Sequence, residues 1–114
     1  MATLYYGSGD CSIIGTEIRG VEINYRGKVE INKTANDNFS LAEKNGKIII
    51  FPIGEGYLNN LFEYRGEFKI LSVLVAGGKG ERIPTSIKRV MDYSELLDSN
   101  AEDLTIKSED ISSG

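Results

Sequence analysis

Apolar and polar residues alternate with a period of two along the first three quarters of the chain, and glycine-containing breaks interrupt the alternation. In the run from Glu17 to Tyr25, the residues Val21, Ile23 and Tyr25 share one face while Glu22 and Asn24 point the other way. That is the pattern of a half-buried strand, because successive side chains of a strand leave on opposite sides. Arg26-Gly27 interrupts it, and Lys28-Val29-Glu30-Ile31-Asn32 resumes it with Val29 and Ile31 inward. A tight hairpin over 25–28 is expected. The same device returns in Phe62-Glu63-Tyr64, Arg65-Gly66 and Glu67-Phe68-Lys69-Ile70, so two hairpins are expected to share a Tyr-Arg-Gly corner. Ile23, Tyr25, Val29 and Ile31 align with Phe62, Tyr64, Phe68 and Ile70 at an offset of 39 positions. Recurrent hairpin chemistry explains that match more cheaply than duplication.

Between these segments lies Asn45-Gly46, the pair that a type I′ turn prefers because both central residues need positive φ. It predicts a hairpin joining 39–44 to 47–53, against a competing short helix from Asn38 with Gly46 as its C-cap. Ile48-Ile49-Ile50-Phe51 is apolar on both faces, as is much of Phe68 to Ala76. These are expected as interior strands covered on both sides, or as strands facing a partner. Pro52 has no N–H for a ladder and limits the first of them. Past Ala76, Gly77-Gly78-Lys79-Gly80 predicts a loop. Pro84-Thr85-Ser86 then opens either a helix, with Ile87, Val90, Met91, Ser94 and Leu97 on one stripe, or a strand through Ile87. The expected fold is a mainly β, small antiparallel β-sandwich or barrel built of hairpins, with a short C-terminal helix and an extended arm. A β domain over 1–98 and an acidic arm over 99–114 are the expected divisions.

A length of 114 residues leaves room for one core. The chain has no histidine, no tryptophan and one cysteine, Cys11. No Ser-His-Asp or Cys-His arrangement and no imidazole ligand is available, so the expectation is a non-enzyme with no catalytic residues, no metal and no cofactor. Cys11 reads as a small buried hydrophobe. The net charge of -4 argues against direct binding to nucleic acid. It is unevenly spread: residues 1–91 hold twelve Lys and Arg against ten Asp and Glu, whereas residues 92–114 hold seven acids and only Lys107. The longest nearly apolar run, Ile70 to Ala76, is far short of the roughly 20 residues of a helical membrane span. The start of the chain lacks the basic and apolar regions of a targeting signal. An intracellular protein, or one on a particle assembled inside a cell, is expected.

Several motifs point to chemistry. Val73 to Ile83 contains Leu74-Val75-Ala76-Gly77-Gly78-Lys79-Gly80-Glu81-Arg82, which resembles the Leu-Ala-Gly-Gly-x-Gly-x-Arg signature of sugar-nucleotide pyrophosphorylases. Only 32 residues follow Arg82, too few for the strands that carry such a family's metal-binding aspartates. What remains is a candidate anion loop of Gly77, Gly78, Lys79, Gly80 and Arg82, or simply a glycine-rich surface loop. Gly54-Glu55-Gly56 lacks the third glycine of a dinucleotide fingerprint. Asp98 to Glu102 spaces oxygen ligands like a calcium loop, but Asp103 stands where glycine is required. The six tyrosines read mainly as strand-flank residues.

The runs Gly7-Ser8-Gly9-Asp10-Cys11-Ser12-Ile13, Ile18-Arg19-Gly20-Val21-Glu22-Ile23, Met91-Asp92-Tyr93-Ser94-Glu95-Leu96-Leu97 and Asn100-Ala101-Glu102-Asp103-Leu104-Thr105 resemble small virion proteins of large contractile-tailed bacteriophages. The resemblance implies a structural protein of the virion, assembled in the host cytoplasm. It would decorate the capsid or sit in the neck or tail, with other virion proteins or itself as partners and no small-molecule substrate. No residue role comes with it. On charge grounds the arm is expected to seek a basic groove, with Leu104, Ile106 and Ile111 as apolar anchors and Asp103, Glu109 and Asp110 as its carboxylates.

Overall fold

The computed structural model describes residues 1–33 and 36–90. Nine strands are present among them: β1 (Ala2–Gly7), β2 (Asp10–Ile14), β3 (Ile18–Arg26), β4 (Val29–Lys33), β5 (Phe39–Lys44), β6 (Lys47–Pro52), β7 (Asn60–Gly66), β8 (Lys69–Gly77) and β9 (Thr85–Arg89). They form two sheets, one ordered β4-β7-β2-β1-β9 and the other β5-β6-β3-β8. The architecture is therefore a β-sandwich. Its core is filled by the inward residues of both sheets, including Leu4, Ile13, Phe62, Ile23, Ile48 and Val75, all of them almost wholly buried. The alternation foresaw this packing: Val21, Ile23 and Tyr25 are buried, and Val29 and Ile31 lie half-buried against the core.

The two Tyr-Arg-Gly corners are not hairpins. β3 and β4 do not pair with each other, and neither do β7 and β8, because each corner carries the chain from one sheet into the other. Instead β3 pairs with β8 in one sheet and β4 with β7 in the other, both antiparallel. Segments 18–33 and 60–77 thus form a single two-stranded ribbon folded around the end of the sandwich. The offset of 39 positions acquires a geometric meaning here. It exchanges the pair Tyr25↔Ile70 with Ile31↔Tyr64, and Arg26↔Lys69 with Glu30↔Arg65, as a local two-fold axis through the corner would. The glycines obey the same exchange. A Cβ on Gly27 (φ +115°) would meet the Glu67 carbonyl oxygen at 2.3 Å, and one on Gly66 (φ +106°) would meet that of Lys28 at 2.4 Å. Glu67 N–H donates to the Lys28 carbonyl at 2.9 Å between them.

The Asn45-Gly46 turn does join a hairpin, β5 to β6, with φ of 51° and 81° at its two central residues, and no helix competes there. β6 stops at Pro52 as expected. Two open alternatives are decided. β8 is an edge strand of its sheet, exposed at Leu71 and Leu74 and not an interior strand covered on both sides, and residues 85–89 take the strand form, not the helix. β9 adds to β1 in the sandwich's one parallel pairing among the described residues, so the structure is not purely antiparallel. The β1–β2 hairpin, turning at Gly7-Ser8-Gly9, also escaped the sequence reading; its signal was the buried alternation of Leu4 and Tyr6 with Cys11 and Ile13. The helix stripe at Met91, Ser94 and Leu97 and the arm over 99–114 lie outside the described residues.

Candidate interaction surfaces

The two outer faces of the sandwich differ in chemistry. On the β4-β7-β2-β1-β9 sheet, the outward positions form polar rows, such as Glu30 beside Arg65 and Ser12 beside Tyr5 and Lys88, with Ile14 as an isolated exposed apolar residue. On the β5-β6-β3-β8 sheet, one row runs Ala42, Ile49, Glu22, Leu74, and Phe51 lies one step along from Ile49. Ile49, Phe51 and Leu74 are 38%, 41% and 41% exposed, on strands whose alternate residues Ile48, Ile50 and Val75 are buried in the core. Leu71, at a bulge opposite Asn24 and Tyr25, extends the apolar area along the β8 edge. Single exposed apolar residues are ordinary, but several on one face of two, here on β6 and β8 either side of Glu22, make that face the candidate interaction surface.

The end of this face nearest the Asn45-Gly46 turn is basic. Lys44 and Lys47 are direct cross-strand partners, an arrangement that costs stability because like charges oppose one another. Only Lys47 has a carboxylate within range, Glu22 at 3.8 Å. Beside them, Tyr25 donates its hydroxyl hydrogen to the Glu43 carboxylate. Burial first, and then that carboxylate, push the Tyr25 phenol up to about 12.

The glycine-rich loop looks different in place than on paper. Its backbone closes on itself, with Gly77 N–H donating to the Glu81 carbonyl at 2.8 Å and an isolated bridge between Ala76 and Arg82. The seat that an anion would take is filled by the loop's own carboxylate: Lys79 N–H donates to Glu81 Oε1 at 2.8 Å. Backbone N–H groups of Glu81 and Lys79 hold that carboxyl below its usual range. A Cβ at Gly77 would collide with the same carboxylate at 2.6 Å. Cys11 is buried, and desolvation followed by the nearby Asp10 charge raises its thiol pKa well above the ordinary value, so it stays a neutral thiol.

At the corner end of the sandwich lies an open cleft of about 610 Å³ bordered by Tyr6, Arg26, Glu67, Phe68, Lys69 and Arg89. Phe68 is its aromatic floor. Its ring meets those of Tyr64, Tyr25, Tyr6 and Phe62 at centroid distances of 4.7, 5.2, 5.6 and 5.8 Å. Arg89 shares the inward face of its sheet with Tyr6, its register partner. Burial raises the Tyr64 phenol pKa, a Gly9 backbone bond and the Arg89 charge opposing it. Sequence reasoning missed this cleft because its cations come from three separate strand ends.

The partner-binding residues expected on the arm, Leu104, Ile106, Ile111, Asp103, Glu109 and Asp110, lie outside the described residues. Among the described residues there is no cluster of three or more acidic, cysteine or histidine side chains able to hold a metal ion, and no helix long and apolar enough to cross a membrane. No known protein family and no curated protein matches the chain. Among solved structures, the chain is similar to a non-cellulosomal cohesin from the hyperthermophilic archaeon Archaeoglobus fulgidus, at 11% identity and a TM-score of 0.50, over 85% of this chain and 95% of that one. That likeness is one of fold.

Proposed function

We propose that the protein is a non-enzymatic binding module that docks another protein on the outer face of the β5-β6-β3-β8 sheet. The observation that carries this reading is the exposure of Ile49 and Phe51 on β6 and of Leu74 on β8, on either side of Glu22 of β3, against a polar opposite face. The uncompensated Lys44 at its basic end calls for a partner whose apolar centre is bordered by carboxylates. The finer reading is that the partner is a capsid, neck or tail subunit of a contractile-tailed phage and that the protein resides in the virion. It rests on the sequence runs quoted above, of which the first forms the β2 side of the β1–β2 hairpin and the second the opening half of β3.

The test compares Ile49→Asp combined with Leu74→Asp against Ile14→Asp on the opposite face, each in the full chain and each first shown to be folded by circular dichroism. Sedimentation and electron microscopy of particles assembled with each chain then read incorporation. Loss with the double variant and retention with the control are expected. Retention by the double variant sinks the docking face, and a complex other than a phage particle sinks the virion reading alone.

A further inference from the structure

We propose that the cleft floored by Phe68 is a receptor for an acidic, apolar-anchored peptide, and that its occupant is the C-terminal segment 102–111 of the same chain. This goes beyond the docking face, from which the cleft is distinct. The cleft offers three cations, Arg26, Lys69 and Arg89, against one carboxylate, Glu67, around an aromatic surface. Segment 102–111 offers the complement: Leu104 and Ile106 at alternate positions, with Glu102 and Asp103 before them and Glu109 and Asp110 after them. Its only cation is Lys107.

The chain is also delivered to the cleft. β9 ends at Arg89 on the cleft wall, and Val90 N–H donates to the Tyr6 carbonyl at 2.7 Å as the described residues end. The connection from Arg89 to Glu102 is twelve residues, thirteen Cα–Cα steps, which extends to roughly 45 Å and so returns to its own exit without strain. A tether of that length holds the segment at an effective concentration on the order of millimolar, so even weak charge pairing and ring contact suffice to seat it. A second copy must supply the same segment at its bulk concentration and is outcompeted.

The full chain carries its own probe position. Cys11 is buried as a neutral thiol, so a nitroxide placed by Ser108→Cys reports alone. At low salt the amide NMR signals of 26–28 and 67–69 are expected to lose at least half their intensity while those of 77–82 do not. The loss is expected to disappear in 1 M salt, where the Debye length is about 3 Å. It is also expected to disappear when Asp103, Glu109 and Asp110 are replaced by asparagine, a change that leaves the sandwich itself untouched. Arg26→Glu with Lys69→Glu should have the same effect from the other side. Broadening that is uniform, or that survives both charge changes, overturns the proposal. Broadening seen only between spin-labelled and isotope-labelled copies in a mixed sample overturns the assignment to the same chain.

Discussion

At the scale of single residues, the corner glycines are where this sequence has least freedom. Gly27 and Gly66 hold positive φ, and each lies against a carbonyl oxygen of the other's corner closer than any Cβ tolerates. Alanine at either site therefore faces both a left-handed backbone and a backbone clash, neither of which a side-chain rotation relieves. Gly27→Ala and Gly66→Ala are each expected to cost roughly 3 kcal/mol in urea unfolding, and by the local two-fold relation the two losses should be similar. Gly80 has φ +77° with nothing within 4 Å of a Cβ. Gly80→Ala is accordingly expected to cost only about 1 kcal/mol, the backbone part alone. Tyr25 adds a pH signature. Its folded-state pKa of about 12 lies above the ordinary 10.0, so the fold favours the neutral phenol. The stabilisation is intact below pH 10 and declines as pH rises from there to 12. In Tyr25→Phe the urea midpoint should lose that part of its alkaline decline, while Cys11, also held neutral, keeps contributing to the fall from lower pH.

At the scale of elements, the sequence announced strands and turns but not which strands meet. Val21-Glu22-Ile23-Asn24-Tyr25, a Gly break and Val29-Glu30-Ile31 read the same whether the chain doubles back beside itself or passes into a second sheet, because the local requirement is identical: two alternating runs and a residue free to take positive φ. The difference lies in a distant partner, β7–β8, which no window around Gly27 contains. Asn45-Gly46 was legible for the opposite reason, since both of its strands lie within seven residues of the turn. β9 was ambiguous because Ile87 and Val90 suit a helical stripe, and only the parallel ladder with β1 decides. The docking face was half legible: Ile48 to Phe51 was apolar on both sides, which left open whether the second side is covered within the chain or faces a partner. The cleft was invisible. Its keystone is Phe68, which joins four rings at a corner where its repeat counterpart is Val29. Phe68→Ala removes the contact that ties the two sheets at this end and is expected to cost about 3 kcal/mol, whereas Phe68→Leu, which keeps most of the volume, should cost less than half of that in the same assay.

At the scale of the whole molecule, a sandwich has two outer faces and needs neither of them apolar for stability, since its core is closed by the inward residues of both sheets. Apolar side chains on an outer face therefore answer to a demand other than the core, which on the proposed reading is a partner. β6 places the two demands side by side: Ile48 is fully buried and Ile49 is 38% exposed, one residue apart. If the outer face serves a partner, then stability and binding separate along this one strand. Ile48→Ala opens a void in the core and is expected to lower the unfolding free energy by about 3 kcal/mol. Ile49→Thr keeps a β-branched residue on a pleated, half-open surface and is expected to change it by less than about 0.5 kcal/mol. The same Ile49→Thr chain, joined to Leu74→Thr, should bind less of a dye that fluoresces on exposed apolar surface, and should stay monodisperse to higher concentration in light scattering. An Ile49→Thr change as costly as Ile48→Ala would mean that the face is covered within the molecule itself, and the docking surface would have to be sought elsewhere.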